Sequence, residues 1–108
     1  MDFQNGKVSL SKTGDTLCAK VSGEIDHHSA KSIREAIDAA LSAYAPDALV
    51  IDLSEISFMD SSGLGLVLGR YTKTSEAGIA FSVCGAGERI TKMFDMAGLD
   101  RIIKYKEK

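Results

Sequence analysis

Alternating apolar and polar residues near the start of the chain predict two strands that pair as a hairpin. The alternation covers residues 8–10 and 17–21, and the segment Thr13-Gly14-Asp15 lies between them. A period of two residues places the apolar side chains of a strand on one face of a sheet. A short segment with glycine between two such runs is typical of a hairpin turn. We therefore expect a hairpin with one covered face.

The remainder of the chain alternates between helical spacing and short apolar runs. The predicted helices are 29–44, 61–77 and 88–97, and the predicted strands after the hairpin are 48–53, 79–84 and 101–105. Pro46, Gly78 and Gly98 lie where the three helices are expected to end. The order β-β-α-β-α-β-α-β predicts a single α/β domain over residues 1–108, with helices packed on a mixed sheet. Strand 48–53 is apolar almost throughout, which predicts a central strand covered on both faces.

The two longer predicted helices each carry an apolar stripe. The stripe of the first contains Ile33, Ile37, Ala40, Leu41 and Tyr44, and that of the second contains Leu64, Val67, Leu68 and Tyr71. Charged residues of the first helix, among them Lys31, Arg34 and Asp38, fall outside its stripe. In the second helix we expect the stripe to face the sheet and Arg70 to be solvated.

Glycine is unusually frequent in the second predicted helix. Gly63, Gly65 and Gly69 lie within it, and each interior glycine costs roughly 0.5–1 kcal/mol relative to alanine. Gly65 and Gly69 are four residues apart and share one face with Ser62. This ridge is either a close contact with a neighbouring helix of the same domain or an exposed surface on which another protein docks.

Two polar segments follow predicted strands and could meet at one edge of the sheet. They are Asp26-His27-His28 and Asp60-Ser61-Ser62, and working residues of such sheets tend to lie beyond the carboxyl ends of the strands. Asp60 is a natural N-cap, with Met59 and Leu64 at the spacing of a hydrophobic staple. Serines in a first helical turn can simply belong to the cap, or can carry a phosphate that the helix N-terminus stabilises. Asp26 is either the N-cap of the first helix or a contact residue.

Composition and charge exclude several classes of function. A formal net charge of −2 over 108 residues gives no reason to expect binding to nucleic acid or an anionic membrane. No apolar run reaches membrane-spanning length and no signal peptide is evident, so we expect a cytoplasmic protein. Without an export signal, Cys18 and Cys84 are expected to be reduced.

The motifs of common catalytic and cofactor sites are incomplete in this chain. Gly63-Leu64-Gly65 lacks the third glycine of a dinucleotide fingerprint, and no P-loop lysine motif occurs. Ser61 lacks the context of a nucleophile elbow, and the adjacent His27 and His28 lack metal-ligand spacing. We expect neither an enzyme nor a cofactor.

Three segments resemble the STAS-domain anti-sigma factor antagonists of spore-forming bacteria. They are Gly23-Glu24-Ile25-Asp26-His27-His28, the stretch from Ser57 to Gly65 with Leu68-Gly69-Arg70-Tyr71, and the stretch from Lys92 to Leu99. The Asp-His-His run narrows the resemblance towards the sporulation branch. Members usually continue into a C-terminal helix, whereas this sequence ends at Lys108. We expect either that the sequence is trimmed there or that this member leaves part of one sheet face to another element or a partner chain.

The resemblance implies a phosphorylation-controlled partner switch. The unphosphorylated antagonist binds an anti-sigma factor that is also a serine kinase, and so releases the sigma factor. Phosphorylation of the serine that matches Ser61 abolishes binding, and a serine phosphatase restores it. The predicted partner-binding residues are Asp26, Asp60, Ser62, Gly63, Gly65 and Gly69.

Three alternatives remain open from the sequence. The first is a small-molecule or nucleotide-binding module that uses the strand ends as a pocket. The second is a small hydrolase that uses Ser61. The third is an antagonist for another sigma pathway, such as general stress.

Overall fold

A six-stranded mixed sheet organises the chain. The computed structural model describes residues 2–5 and 8–106. The strands are β1 (Asp2–Asn5), β2 (Val8–Thr13), β3 (Thr16–Ile25), β4 (Ala48–Met59), β5 (Ala80–Cys84) and β6 (Tyr105–Lys106). The helices are α1 (Ala30–Tyr44), α2 (Ser61–Glu76) and α3 (Glu88–Met96), followed by a 3₁₀ turn at Leu99–Arg101.

The strands follow one another across the sheet in chain order. β1, β2 and β3 pair antiparallel, whereas β3, β4, β5 and β6 pair parallel. The predicted hairpin and mixed sheet are therefore confirmed, and β1 is an additional edge strand that the sequence pattern did not indicate. β4 is also longer than predicted, since it continues past Leu53 to Met59.

The strand predicted over residues 101–105 is largely wrong. The backbone N–H groups of Ile102 and Ile103 both donate to the Leu99 carbonyl, at 3.1 and 2.9 Å. These bonds wind the segment into a turn, which buries Ile103 and leaves only Tyr105 and Lys106 to pair with β5. The apolar pair Ile102-Ile103 predicts a strand from its composition. In the structure its backbone N–H groups instead form the hydrogen bonds of a local turn.

All three helices share one hydrophobic core with one face of the sheet. The core takes alternate residues from β2 to β5, and α1, α2 and α3 contribute to the same cluster. Val50 and Asp52 of β4 are buried, as predicted for a central strand, yet neither belongs to this cluster. The helices therefore pack on a single face, and the opposite face presents smaller or polar residues such as Ser9, Cys18 and Ser82.

The predicted inward stripe of α2 is correct except at Leu68. Val67 is fully buried and Leu64 and Tyr71 pack against the core, but Leu68 is 36% exposed. The other buried positions include Leu66, Arg70 and Thr74. Two polar residues can occupy the inner face because each has a partner. The Thr74 hydroxyl donates to the Arg70 carbonyl at 2.8 Å, and the Arg70 guanidinium faces a carboxylate of α1.

Arg70 is buried, not solvated as the sequence analysis expected. Its side chain is 9% exposed, and its Nε lies 3.2 Å from Oδ1 of Asp38 in α1. The two atoms are close enough for an ion pair but are not aligned as a hydrogen bond. Burial lowers the pKa of Arg70 and the charge of Arg34 acts in the same direction, while Asp38 opposes both. The pair therefore links α1 to α2 through a strongly desolvated cation.

Removing the Asp38 carboxylate should destabilise the domain more than an exposed charge deletion does. Asp38→Ala leaves the Arg70 guanidinium buried without a counterion, and we expect a loss of about 2–3 kcal/mol in the free energy of unfolding, because Asp38 is itself partly exposed. Glu35→Ala on the exposed side of α1 is the control, and it should change the free energy of unfolding by less than about 0.5 kcal/mol. Equal losses in urea denaturation would show that the ion pair contributes no stability.

Candidate functional site

The parallel pairing of β3 and β4 brings the two predicted polar segments together. The register continues to the last residues of both strands, where Ile25 lies opposite Met59. The backbone N–H of Asp60 donates to the Ile25 carbonyl at 3.2 Å. Asp26 directly follows β3 and Asp60 directly follows β4. The two residues therefore begin neighbouring turns, as the sequence predicted.

Asp60 caps α2 as expected. Its backbone is extended, and its Oδ1 accepts a hydrogen bond of 2.8 Å from the Ser62 N–H. The Gly63 N–H donates to the Asp60 carbonyl at 2.9 Å. Two of the donors that a helix start leaves unpaired are thus satisfied.

The two serines of the first turn of α2 differ in exposure. Ser61, the first helical residue, is exposed, whereas Ser62 is half-buried. Ser61 therefore presents the more accessible hydroxyl, next to a helix N-terminus whose dipole favours negative charge.

Asp26 shapes the turn before α1 but is not its N-cap. Its Oδ1 accepts hydrogen bonds of 2.9 Å from the N–H groups of both His28 and Ser29, and α1 begins only at Ala30, with Ser29 at the capping position. The Ser29 hydroxyl accepts from the Asp26 N–H and donates to the Glu24 carbonyl. The hydrogen bond from the Ser29 N–H is the main cause that lowers the pKa of Asp26, so this carboxylate is ionised at neutral pH.

The two histidines that follow Asp26 are both exposed. Their ring centroids are 5.7 Å apart in an edge-on arrangement. Across residues 2–5 and 8–106, no group of three or more His, Cys, Asp or Glu side chains is arranged to hold a metal ion.

The three glycines of α2 occupy two different environments. Gly63 is buried, and a Cβ there would collide with the side chain of Met59 and approach Ile25. A Cβ at Gly65 or Gly69 would meet no atom within 4 Å. Gly63 allows close packing inside the domain, whereas Gly65 and Gly69 leave an open strip on the helix surface.

This open strip lines a groove between α1 and α2. The groove has a volume of about 450 Å³, and Ser62, Gly65 and Gly69 lie along it. Opposite them are Lys31 and Arg34 of α1. The glycine ridge was predicted from the sequence, but the basic wall was not. The available signal was the spacing of Lys31 and Arg34, three residues apart on one helical face.

A second cavity lies between the end of β4 and the start of α3. It measures about 220 Å³ and includes Phe58, Met59, Ile90 and Met93 in its walls. Small-molecule sites usually offer about 300–1,000 Å³. The volume of this cavity therefore gives little support to the small-molecule alternative.

Comparison with known proteins assigns the family. The sequence model of the STAS domain matches residues 7–108. The chain belongs to the STAS-domain family. Within the part that the structure describes, no helix of this STAS domain has the length and apolar character needed to cross a membrane.

Relatives of this STAS domain carry names from two regulatory systems. It is 33% identical over 99 residues to an anti-sigma F factor antagonist of Paenibacillus polymyxa, covering 92% of this chain and 85% of the relative. It is 32% identical over 104 residues to an anti-sigma-B factor antagonist of Bacillus subtilis, covering 96% and 94%.

Solved structures of the anti-sigma factor antagonist SpoIIAA share the fold. The unphosphorylated form matches with a TM-score of 0.78 at 30% identity, covering 92% of this chain and 87% of that one. The phosphorylated form, described as a Bacillus cell fate determinant, matches with a TM-score of 0.73 at 30% identity, covering 92% and 90%. One STAS fold thus accommodates both states of that protein.

The contrast between the glycines of α2 predicts opposite effects on stability. Gly65→Ala should preserve or raise the free energy of unfolding, by up to about 1 kcal/mol, because alanine is the better helix former and the site is open. Gly63→Ala should lower it by about 1–2 kcal/mol, because the buried Met59 side chain must leave its position. Thermal and urea unfolding of both variants measure the difference, and destabilisation by Gly65→Ala would show that the ridge is internal packing.

Proposed function

We propose that this STAS domain is an anti-sigma factor antagonist controlled by phosphorylation of Ser61. In its unphosphorylated form it binds an anti-sigma factor serine kinase, and the sigma factor is released. Phosphorylation by that kinase prevents rebinding until a serine phosphatase removes the phosphate. The observation that carries this proposal is an exposed serine at the capped start of α2, beside the Asp26 turn and at one end of an open glycine strip.

The geometry of α2 supports Ser61 over Ser62 as the phosphate acceptor. Ser61 is exposed, while Ser62 is half-buried and its N–H is held by the Asp60 carboxylate. A kinase must bring its nucleotide to the hydroxyl, so the accessible serine is the better substrate. The resemblance of Asp60-Ser61-Ser62-Gly63 to the family motif points to the same residue.

Phosphorylation is expected to change the docking surface more than the fold. The phosphate would lie in the first turn of α2, where the helix dipole favours negative charge. No core residue needs to move, because Ser61 contributes nothing to the hydrophobic cluster. The phosphate therefore acts by presenting a dianion to a partner shaped for a neutral hydroxyl.

A partner surface that includes Asp26, Asp60, Ser62, Gly65 and Gly69 is consistent with these positions. Asp26 and Asp60 begin neighbouring turns, and the other three residues lie along the α1–α2 groove. Gly63 supports this surface from below, since it is buried against Met59. The proposal requires no cofactor and no catalytic role for the chain itself. It does require a location in the cytoplasm, where sigma factors act.

The sigma pathway is proposed to be that of sporulation, with general stress as the second candidate. The Asp26-His27-His28 run favours the sporulation branch, whereas relatives from both systems have nearly equal identity to this chain. Kinases of the two systems should be compared side by side, because binding to only one of them identifies the pathway.

Incubation with an anti-sigma factor kinase and ATP should add one phosphate, on Ser61. Intact-mass measurement and peptide mapping locate it. Ser61→Ala should remain unmodified, and the matched control Ser62→Ala should still accept one phosphate. Labelling of Ser62, or modification that survives in Ser61→Ala, would contradict the assignment.

Phosphorylation of Ser61 should weaken binding to the kinase in the presence of ADP by roughly 100-fold or more. Docking would have to desolvate a near-dianionic group without a counterion, which costs several kcal/mol, and each 1.4 kcal/mol is tenfold in affinity. Ser61→Asp should lose less affinity than the phosphorylated protein, because a carboxylate carries less charge and fewer acceptor oxygens than a phosphate. Ser61→Ala should retain the affinity of the unmodified protein. Calorimetry on the four forms decides, and equal affinity of the phosphorylated and unmodified proteins would end the partner-switch proposal.

A further inference from the structure

The Arg70 guanidinium contains a buried donor group that no described residue satisfies. The residue is 7% exposed, and its Nη1 has no hydrogen-bond partner among residues 2–5 and 8–106. Its Nε faces Asp38 at 3.2 Å without the alignment of a hydrogen bond. Unsatisfied buried donors are costly, more so when they are charged. Arg70 is one of the residues that line the α1–α2 groove, so its charge favours an anionic group from outside the chain there.

The charged side chains around the groove are mostly positive, which also favours an anionic partner. Lys31, Arg34 and Arg70 line it, and Asp38 is the carboxylate that pairs with Arg70. Three cations against one carboxylate leave a local excess of positive charge in a chain whose formal net charge is −2. Arg34 and Arg70 are also close enough for the charge of Arg34 to disfavour the protonated form of Arg70. An anion between these two side chains would relieve that repulsion.

The shape of the groove suits an extended protein segment. Gly65 and Gly69 leave the surface of α2 open, so a foreign backbone can approach that helix closely. The lining runs from Ser62 to Arg70, which lie about 12 Å apart along the helix axis. A small ligand is more commonly enclosed by its site, with a few polar groups that converge on it. The positive charges here are spaced along an open channel instead.

We propose that the α1–α2 groove binds a carboxylate-bearing segment of the anti-sigma factor partner, with an Asp or Glu side chain between Arg34 and Arg70. This inference rests on the proposed function and names the chemistry that the partner brings to the same surface. The guanidinium of Arg70 supplies the unsatisfied donor deep in the groove, while Lys31 and Arg34 attract the segment from the exposed wall.

Charge reversal on the exposed wall tests the proposal without disturbing the buried ion pair. Lys31→Glu and Arg34→Glu should each weaken binding to the anti-sigma factor kinase, with ADP present, by about tenfold or more. Lys92→Glu, an exposed residue of α3 outside the groove, is the matched control and should change affinity by less than about threefold. Added salt should weaken kinase binding by the unmodified protein more than kinase binding by the double variant Lys31→Glu/Arg34→Glu. Thermal unfolding verifies that all four variants remain folded.

Three further measurements test the groove itself. Gly69→Leu should fill the open strip and weaken binding at least tenfold, while the isolated domain stays folded. Arg70→Lys retains the charge opposite Asp38 but removes the planar donors, and should weaken binding by a smaller factor. A partner Asp or Glu changed to Lys should restore affinity for Arg34→Glu.

The outcomes separate failure of this inference from failure of the proposed function. If the unmodified protein binds no anti-sigma factor kinase, the proposed function fails. If it binds and the reversed variants bind equally well, or Lys92→Glu loses as much as they do, the groove proposal is overturned. Binding of inorganic phosphate or ATP to the isolated domain at micromolar concentration, lost in Arg34→Glu, would also overturn it, because the groove would then be a small-anion site.

Discussion

The parallel pairing of β3 with β4 is the constraint on which the candidate site depends. The register shifts twice near the end of β3, around Gly23, which has a φ of +79°, and pairing then resumes through Ile25 and Met59. Irregularities of this kind bend a strand and redirect its end. Because both strands end at the same level, the Asp26 turn and the Asp60 cap emerge side by side, and the Asp60 N–H ties them together. Without that register, the two acidic turns would not form one surface.

Backbone geometry, more than side-chain chemistry, prepares this surface. Gly63 lets the first turn of α2 sit directly on Met59 and Ile25, which fixes the height of the helix above the sheet. Gly65 lies two residues later, about 200° around the helix, and therefore faces away from that contact. The same residue type thus serves opposite purposes within one turn. A side chain at the inner position would lift the helix, whereas one at the outer position would obstruct the groove.

Features with local causes were predictable from the sequence, and those that depend on distant partners were not. The Asp60 cap follows from residues adjacent in the chain, as does the helix stop at Gly78, which has a φ of +74°. The burial of Arg70 required Asp38, which lies 32 positions earlier and reaches it only once α1 and α2 pack together. Helical periodicity counts an arginine as polar, so it did not place Arg70 on the inner face of α2. The basic groove was missed for the same reason, since its walls come from two helices.

The two proposals share one electrostatic logic. The excess positive charge of the α1–α2 groove favours an incoming carboxylate, and Ser62, at the end of that groove, is the neighbour of Ser61. A phosphate on Ser61 would add close to two negative charges within a few residues of these cations, and charges interact over about 8 Å at physiological ionic strength. It would therefore oppose docking in two ways, by the cost of burying its own charge and by weakening the attraction of the groove for an acidic segment. A neutral substitution at Ser61 removes both effects, and a single carboxylate supplies each only in part. The switch can thus be complete while the fold stays the same, because what changes is the field at one end of a fixed groove.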